Sequence, residues 1–251
     1  MKLVLLAFLL ECAVTIWAGT ECEPQSRPWV VHFSSGCSGA LINEQWVLTV
    51  MDCYVTPQVT VAYLGKNNLN VEENSEQRIF VDVGIVHDPY MRKRRRRSPL
   101  HNIQMVRLAT PAKLNSYVQP VSLSTRCPLP EDDCVVSGWE TRQQSSMQCV
   151  VQPIPDKRAC QFEMFGPPDE FCTEYVHNIT GSHLAEGSPM TCGGYLQGLV
   201  SWGQWCLETY EVEKSYSCVC HYHDWIDKVM RSHVSTTTAA PRTDTTRFVA
   251  V

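Results

Sequence analysis

Trp46-Val47-Leu48-Thr49-Val50 is the stretch whose reading decides the fold class. Four of its five residues are aromatic or β-branched, side chains that fit a pleated, half-buried surface. Working outward, comparable short runs lie at Val59 to Leu64, Ile79 to Val86, Ile103 to Leu108, Cys134 to Ser137 and Leu196 to Trp202, separated by turn signals. Nothing before residue 220 carries a sustained 3.6-residue apolar period. Many short strands without intervening helices imply a sandwich or a barrel. One amphipathic helix is expected near the end, where Trp225, Ile226, Val229 and Met230 fall on a single face.

The ends of the chain have a different character. Lys2 followed by the apolar run Leu3 to Leu10, and by Ile16-Trp17-Ala18, has the pattern of a secretory leader, although Glu11 interrupts it. A buried N-terminal strand is the alternative for this segment. The expected organisation is a signal peptide over 1–18, a globular domain over 19–233 and a Ser/Thr-rich tail over 234–251, a composition open to O-linked sugars. No later segment approaches the ~20 apolar residues of a membrane span. The net charge of −5 argues against nucleic acid as the main partner.

Cysteine usage agrees with a secreted, extracellular protein. Of the 13 cysteines, Cys12 lies inside the leader, and the even remainder reads as a disulfide framework. A zinc site would need pairs spaced like C-x-x-C, whereas Cys218-x-Cys220 is too tight. No cofactor or metal is expected.

Several stretches together resemble the trypsin-like, chymotrypsin-fold serine proteases. Ser38-Gly-Ala-Leu-Ile-Asn-Glu-Gln-Trp-Val-Leu-Thr49 looks like the strand pair that leads to that family's catalytic histidine. Ser137-Gly-Trp139 and Leu196-Gln-Gly-Leu-Val-Ser-Trp-Gly203 are similar to two further signatures, and Ile85-Val-His87, Leu114-Asn115 and Trp225-Ile226 fall in the expected order. The likeness spans roughly residues 22 to 232. It implies an all-β fold of two packed six-stranded antiparallel barrels, a cleft between them and a C-terminal helix. It also implies the bridges Cys22–Cys149, Cys37–Cys53, Cys127–Cys220, Cys134–Cys192 and Cys160–Cys172. Ser182 stands where a sixth bridge has a cysteine, which would orphan Cys206, so Cys218 is expected to replace the missing partner.

The same resemblance locates the catalytic positions, and none holds the residue that acyl transfer needs. The family uses a hydroxyl nucleophile, an imidazole to take its proton and a carboxylate to orient the imidazole. The histidine position is Asp52, in Thr49-Val50-Met51-Asp52-Cys53, and the orienting position is Asn102. The nucleophile motif reads Leu184-Ala185-Glu186-Gly187-Ser188-Pro189, which puts Glu186 at the nucleophile and Leu184 at the oxyanion-hole glycine. Ala185 replaces the aspartate that pairs with a freed N-terminus, and no Ile-Val-Gly-Gly-like start occurs between Gly19 and Trp29. A carboxylate cannot shuttle a proton near neutrality as imidazole does.

Rival uses of these residues are a shifted nucleophile at Ser188 with His101 or His183 as base, and a carboxylate pair Asp52–Glu186 for acid–base work or a cation. His221-x-His223-Asp224 invites a metal reading, against which it aligns with the start of the terminal helix.

Three features remain as candidates for function. Ser201-Trp202-Gly203 matches the edge on which the family pairs an extended peptide, although core and strand roles also explain it. Asn178-Ile179-Thr180 is a glycosylation sequon. Arg92-Lys93-Arg94-Arg95-Arg96-Arg97 must be solvated or paired with an external anion, and heparan sulfate or another sulfated glycosaminoglycan fits it. The run also suits a convertase that cuts before Ser98, or a solvated loop with no ligand. The expectation is a monomeric, secreted, non-catalytic protease homologue that acts as a binding or decoy module for a polyanion or another extracellular protein. The alternative is a weak or unconventional serine-type endopeptidase.

Overall fold

A computed structural model describes residues 20–87, 101–140, 145–154, 170–173, 184–201 and 214–234. Its first half is a closed barrel of β2 (Val30–Phe33), β3 (Ser38–Leu41), β4 (Trp46–Thr49), β5 (Val61–Leu64), β6 (Gln77–Val86) and β7 (Gln104–Leu108). These strands are joined in the order β2-β3-β4-β7-β6-β5, every pairing antiparallel. Burial reports which strands meet solvent. All four residues of β3 and of β4 are buried, whereas β5 alternates half-buried and buried positions. Alternation marks a strand with one wet face, and its loss marks a strand covered on both faces. Val31, Phe33, Leu41, Leu48, Leu64, Met105 and Leu108 fill the interior.

The second half is an eight-stranded sheet. It contains β9 (Cys134–Gly138), β10 (Gln148–Val151), β11 (Glu170–Thr173), β12 (Pro189–Cys192), β13 (Tyr195–Ser201) and β14 (Lys214–Cys218). The two-residue strands β1 (Thr20–Glu21) and β8 (Ser122–Leu123) add to it, β8 running parallel to β13. Among the described residues its strands run in the order β1-β10-β9-β12-β13-β14-β11. A closed barrel beside a second sheet is consistent with the expected two-barrel architecture. The six strands of the second half are present as β9 to β14; among the described residues no ladder joins β11 to β10, and β1 occupies the free edge of β10. The all-β class and the C-terminal helix hold as expected. Helix α1 (His223–Val234) buries Ile226 and Val229 against the barrel core, and Met230 Sδ accepts a hydrogen bond from Asn43 Nδ2 at 3.2 Å.

Four of the expected disulfides are formed: Cys22–Cys149, Cys37–Cys53, Cys127–Cys220 and Cys134–Cys192. Cys22–Cys149 joins residues 127 apart, the long-loop case in which a cross-link restricts the unfolded chain most. Cys218 is disulfide-bonded as well, to a partner that is not among the described side chains. Cys160 and Cys206 lie outside the described residues, as does the side chain of Cys172.

Candidate functional site at the junction of the two sheets

The three positions singled out from the sequence meet where the barrel faces the second sheet. Asp52 lies in a one-turn 3-10 helix, Met51–Cys53, directly after β4. The Cys37–Cys53 bridge pins that turn to the start of β3, and it ends on Tyr54 in the left-handed region, φ 46°. Asn102 precedes β7 and is 2% exposed. Glu186 enters from the second sheet, in the turn before β12, and its carbonyl accepts the Ser38 N–H at 2.8 Å. Gly187 makes this approach possible. Its φ is +77°, and a Cβ there would collide with the Ser38 carbonyl oxygen and Thr49 Oγ1.

Asn102 is the hub. Its Oδ1 accepts from the backbone N–H groups of Met51 at 2.9 Å and Asp52 at 3.3 Å. Its Nδ2 donates to Ser201 Oγ at 2.7 Å and to Asp52 Oδ2 at 3.1 Å. Its carbonyl accepts the Ser217 hydroxyl at 2.7 Å. Two N–H donors on one side and a carboxylate on the other fix which end of the amide is oxygen. An aspartate could keep the acceptor side but could offer Asp52 no proton when ionised. Asparagine is therefore the side chain that satisfies a carboxylate at position 52.

The electrostatics follow from the geometry. Burial pushes the Asp52 carboxyl above its ordinary range, and the Asn102 hydrogen bond only partly offsets this. Glu186 is also raised, first by burial and then by the negative charge of Asp52. Among the described residues neither carboxylate has a salt-bridge partner.

The other candidate chemistries fare differently. Ser188 is completely buried beneath Gly138, where a Cβ would collide with its Oγ, so this hydroxyl does not reach the surface. His101 Nδ1 contacts the Tyr222 hydroxyl at 3.2 Å, within a cluster of aromatic rings that includes His87 and Trp225. Leu184 is 5% exposed and joins the core of the second sheet. His221 and His223 do not converge: His223 Nε2 donates to the Ser124 carbonyl, while His221 Nε2 lies 3.8 Å from Cys127 Sγ. Two groups of potential ligands occur among the described residues, Cys127/Cys220/His221 and Cys37/Cys53/Glu186. In both, two of the three are disulfide sulfurs with no thiolate to offer.

Ser201, expected as an edge residue for a peptide, accepts from Asn102 through its hydroxyl and pairs with Ser215 along its backbone. Trp202, Gly203, Asn178, His183 and the run Arg92 to Arg97 lie outside the described residues. The parts of Ser201 and Ser217 in holding Asn102 were missed from sequence. The available signal was Ser201 closing the apolar run Leu199-Val200, since a buried hydroxyl demands a partner.

Comparison with known proteins agrees with this architecture. A family model described as Trypsin matches residues 16–226, so the match opens within the segment expected to be leader. Trypsin-2 of Salmo salar is 35% identical over 229 residues, covering 87% of this chain and 96% of its own length. Putative trypsin-6 of Homo sapiens is 34% identical over 224 residues, 84% of this chain and 87% of its own. Kallikrein-15 of Homo sapiens is 31% identical over 257 residues, covering 91% and 98%. With the barrel, the second sheet, the bridges and the order of the motifs all in accord, the chain belongs to the trypsin family.

Proposed function

We infer that this trypsin-family chain is a secreted binding protein that does not cleave peptides. One observation carries the reading. The Asn102 amide is fully engaged in holding a carboxylate, Asp52, where the family's proton shuttle stands, and Glu186 stands where the nucleophile would. Two carboxyls of raised pKa can exchange a proton, but neither side chain offers the hydroxyl for acyl transfer. The burial of Ser188 supports the same reading, because the nearest replacement hydroxyl lies under Gly138. The leader over 1–18, the tail over 234–251, a glycan on Asn178 and a monomeric state belong to this proposal.

A fluorophosphonate probe tests it, with an active trypsin alongside. The expected result is labelling of the trypsin and of no serine in this chain. Covalent labelling of any serine here would restore the runner-up reading, a weak serine-type endopeptidase, whose support is the names of the relatives.

For the partner, the proposal names a sulfated glycosaminoglycan held by Arg92, Lys93, Arg94, Arg95, Arg96 and Arg97. Six adjacent cations release counterions on meeting a polyanion, which makes the binding salt-dependent. Retention on immobilised heparin above physiological salt, lost when the six are replaced by alanine, is the expected outcome. If both forms elute together at low salt, polyanion binding is wrong. An intact mass that reveals a cut before Ser98 would make the run a processing site.

A further inference from the structure

We propose that Cys127–Cys220 is an exchange-competent disulfide, a modification site for small thiols of the glutathione class, with His221 as the group that eases departure of the Cys127 sulfur. The four described bridges are not equivalent in their surroundings. Both cysteines of Cys37–Cys53 and of Cys134–Cys192 are buried, and Cys22 is buried in the Cys22–Cys149 bridge. Cys127 and Cys220 are each half-buried, so this bridge alone among the four has no buried cysteine. Access to a sulfur is the first requirement for thiol attack.

The second requirement is a stable leaving thiolate. His221 is exposed and sets its Nε2 3.8 Å from Cys127 Sγ, and the two sulfurs and the imidazole nitrogen all lie within 4.8 Å of one another. The neighbouring cation, Arg126, is committed elsewhere: it holds Asp132 through both terminal nitrogens and donates to the Cys127 carbonyl. His221 is therefore the group placed to meet charge that develops on the sulfur. An adjacent imidazole stabilises a thiolate and makes it a better leaving group.

The step balances with one external thiol. The incoming thiolate attacks Cys220 Sγ, and the S–S bonding pair departs with Cys127 Sγ. Cys127 is left as a thiolate beside His221, and the incoming sulfur remains on Cys220 as a mixed disulfide. Attack by Cys127 on that mixed disulfide reverses the reaction and expels the small thiol. Opening does not cost helix α1 its seat. His223 still donates to the Ser124 carbonyl, and Ile226 and Val229 remain in the barrel core.

The test uses the full-length folded protein in graded reduced glutathione without denaturant. Free thiols are trapped with N-ethylmaleimide, and adducts are located by peptide mass spectrometry. Glutathione or maleimide should appear on Cys127 and Cys220 before any of Cys22, Cys149, Cys37, Cys53, Cys134 or Cys192. His221→Gln should slow opening by about threefold to tenfold, the size expected when a leaving thiolate loses the imidazole beside it. His221→Lys, which keeps an N–H donor, on an ammonium, at an exposed position, should retain most of the rate. Earlier opening of another of these four bridges overturns the proposal. A wild-type rate in His221→Gln, or equal slowing by glutamine and lysine, overturns the part given to His221.

Discussion

Two places in this molecule take carboxylates out of water and treat them in opposite ways. In the loop between β5 and β6 the Glu76 side chain is 2% exposed and that of Lys66 7%. Lys66 Nζ donates to Glu76 and to the Val71 carbonyl at 2.9 Å, and Arg78 reaches the other Glu76 oxygen. Burial pushes the Glu76 carboxyl up, but hydrogen bonds from Lys66 and Arg78 outweigh it and hold the group below its ordinary value. At the junction of the sheets, Asp52 and Glu186 are half-buried beside each other, and both are raised. The difference teaches that burial raises a carboxyl wherever it occurs and that the charge facing it decides the outcome. One site is a structural tie. The other is a pair of half-buried carboxyls that burial raises and that no cation among the described residues offsets.

The two sites make opposite contributions as pH changes. The Glu76 pKa is depressed on folding, so its stabilisation is present above the unfolded value of about 4.3 and disappears as pH falls through the folded value. Asp52 and Glu186 are raised, so their contribution is full below about 4 and disappears as pH climbs through their folded values.

The largest expected effect is at the tie. Glu76→Gln leaves the buried Lys66 ammonium with only a neutral partner and should cost about 3 kcal/mol in urea denaturation near neutral pH. Lys66→Met should cost less, because Arg78 still faces Glu76. The reverse ranking would mean that Lys66 is not what holds Glu76.

Next in size is Asn102→Asp. It removes the donor to Asp52 and adds a third carboxyl, at a cost of about 2 kcal/mol. Adding Asp52→His to that variant should recover part of the loss, since an imidazole can donate to the new carboxylate. Additive losses in this double-mutant cycle would remove Asn102 as the hub.

The smallest effect is a gain. Glu186→Gln should stabilise the protein near pH 7 by no more than ~1 kcal/mol after solvent screening, with no gain near pH 4. Thermal unfolding at the two pH values decides it, and an equal shift at both would mean that charge repulsion is not the cause.

Much of the fold was legible in the sequence, for a local reason. β4 and β6 are rich in β-branched and aromatic residues, and α1 repeats its apolar positions at helical spacing. The short β12, Pro189–Cys192, opens on a proline and has no alternation to read, because all four of its residues are buried. The site was legible as positions but not as interactions. Asp52, Asn102 and Glu186 could be named from the motifs around them, whereas Ser201 and Ser217 could not be assigned to Asn102. Those serines lie 99 and 115 residues from it along the chain.

The sequence by itself determined the strand-rich class, the terminal helix and the cysteine framework. Each is a property of residue types at given spacings along one chain. Only the tertiary structure decided that Asn102 bonds to Asp52, that Ser188 is sealed under Gly138 and that burial raises the carboxyls of Asp52 and Glu186. Those outcomes depend on β3, the turn before β7 and the turn before β12 arriving at one place. Hydrogen bonding and burial act over a few ångströms of space, whatever the distance along the sequence.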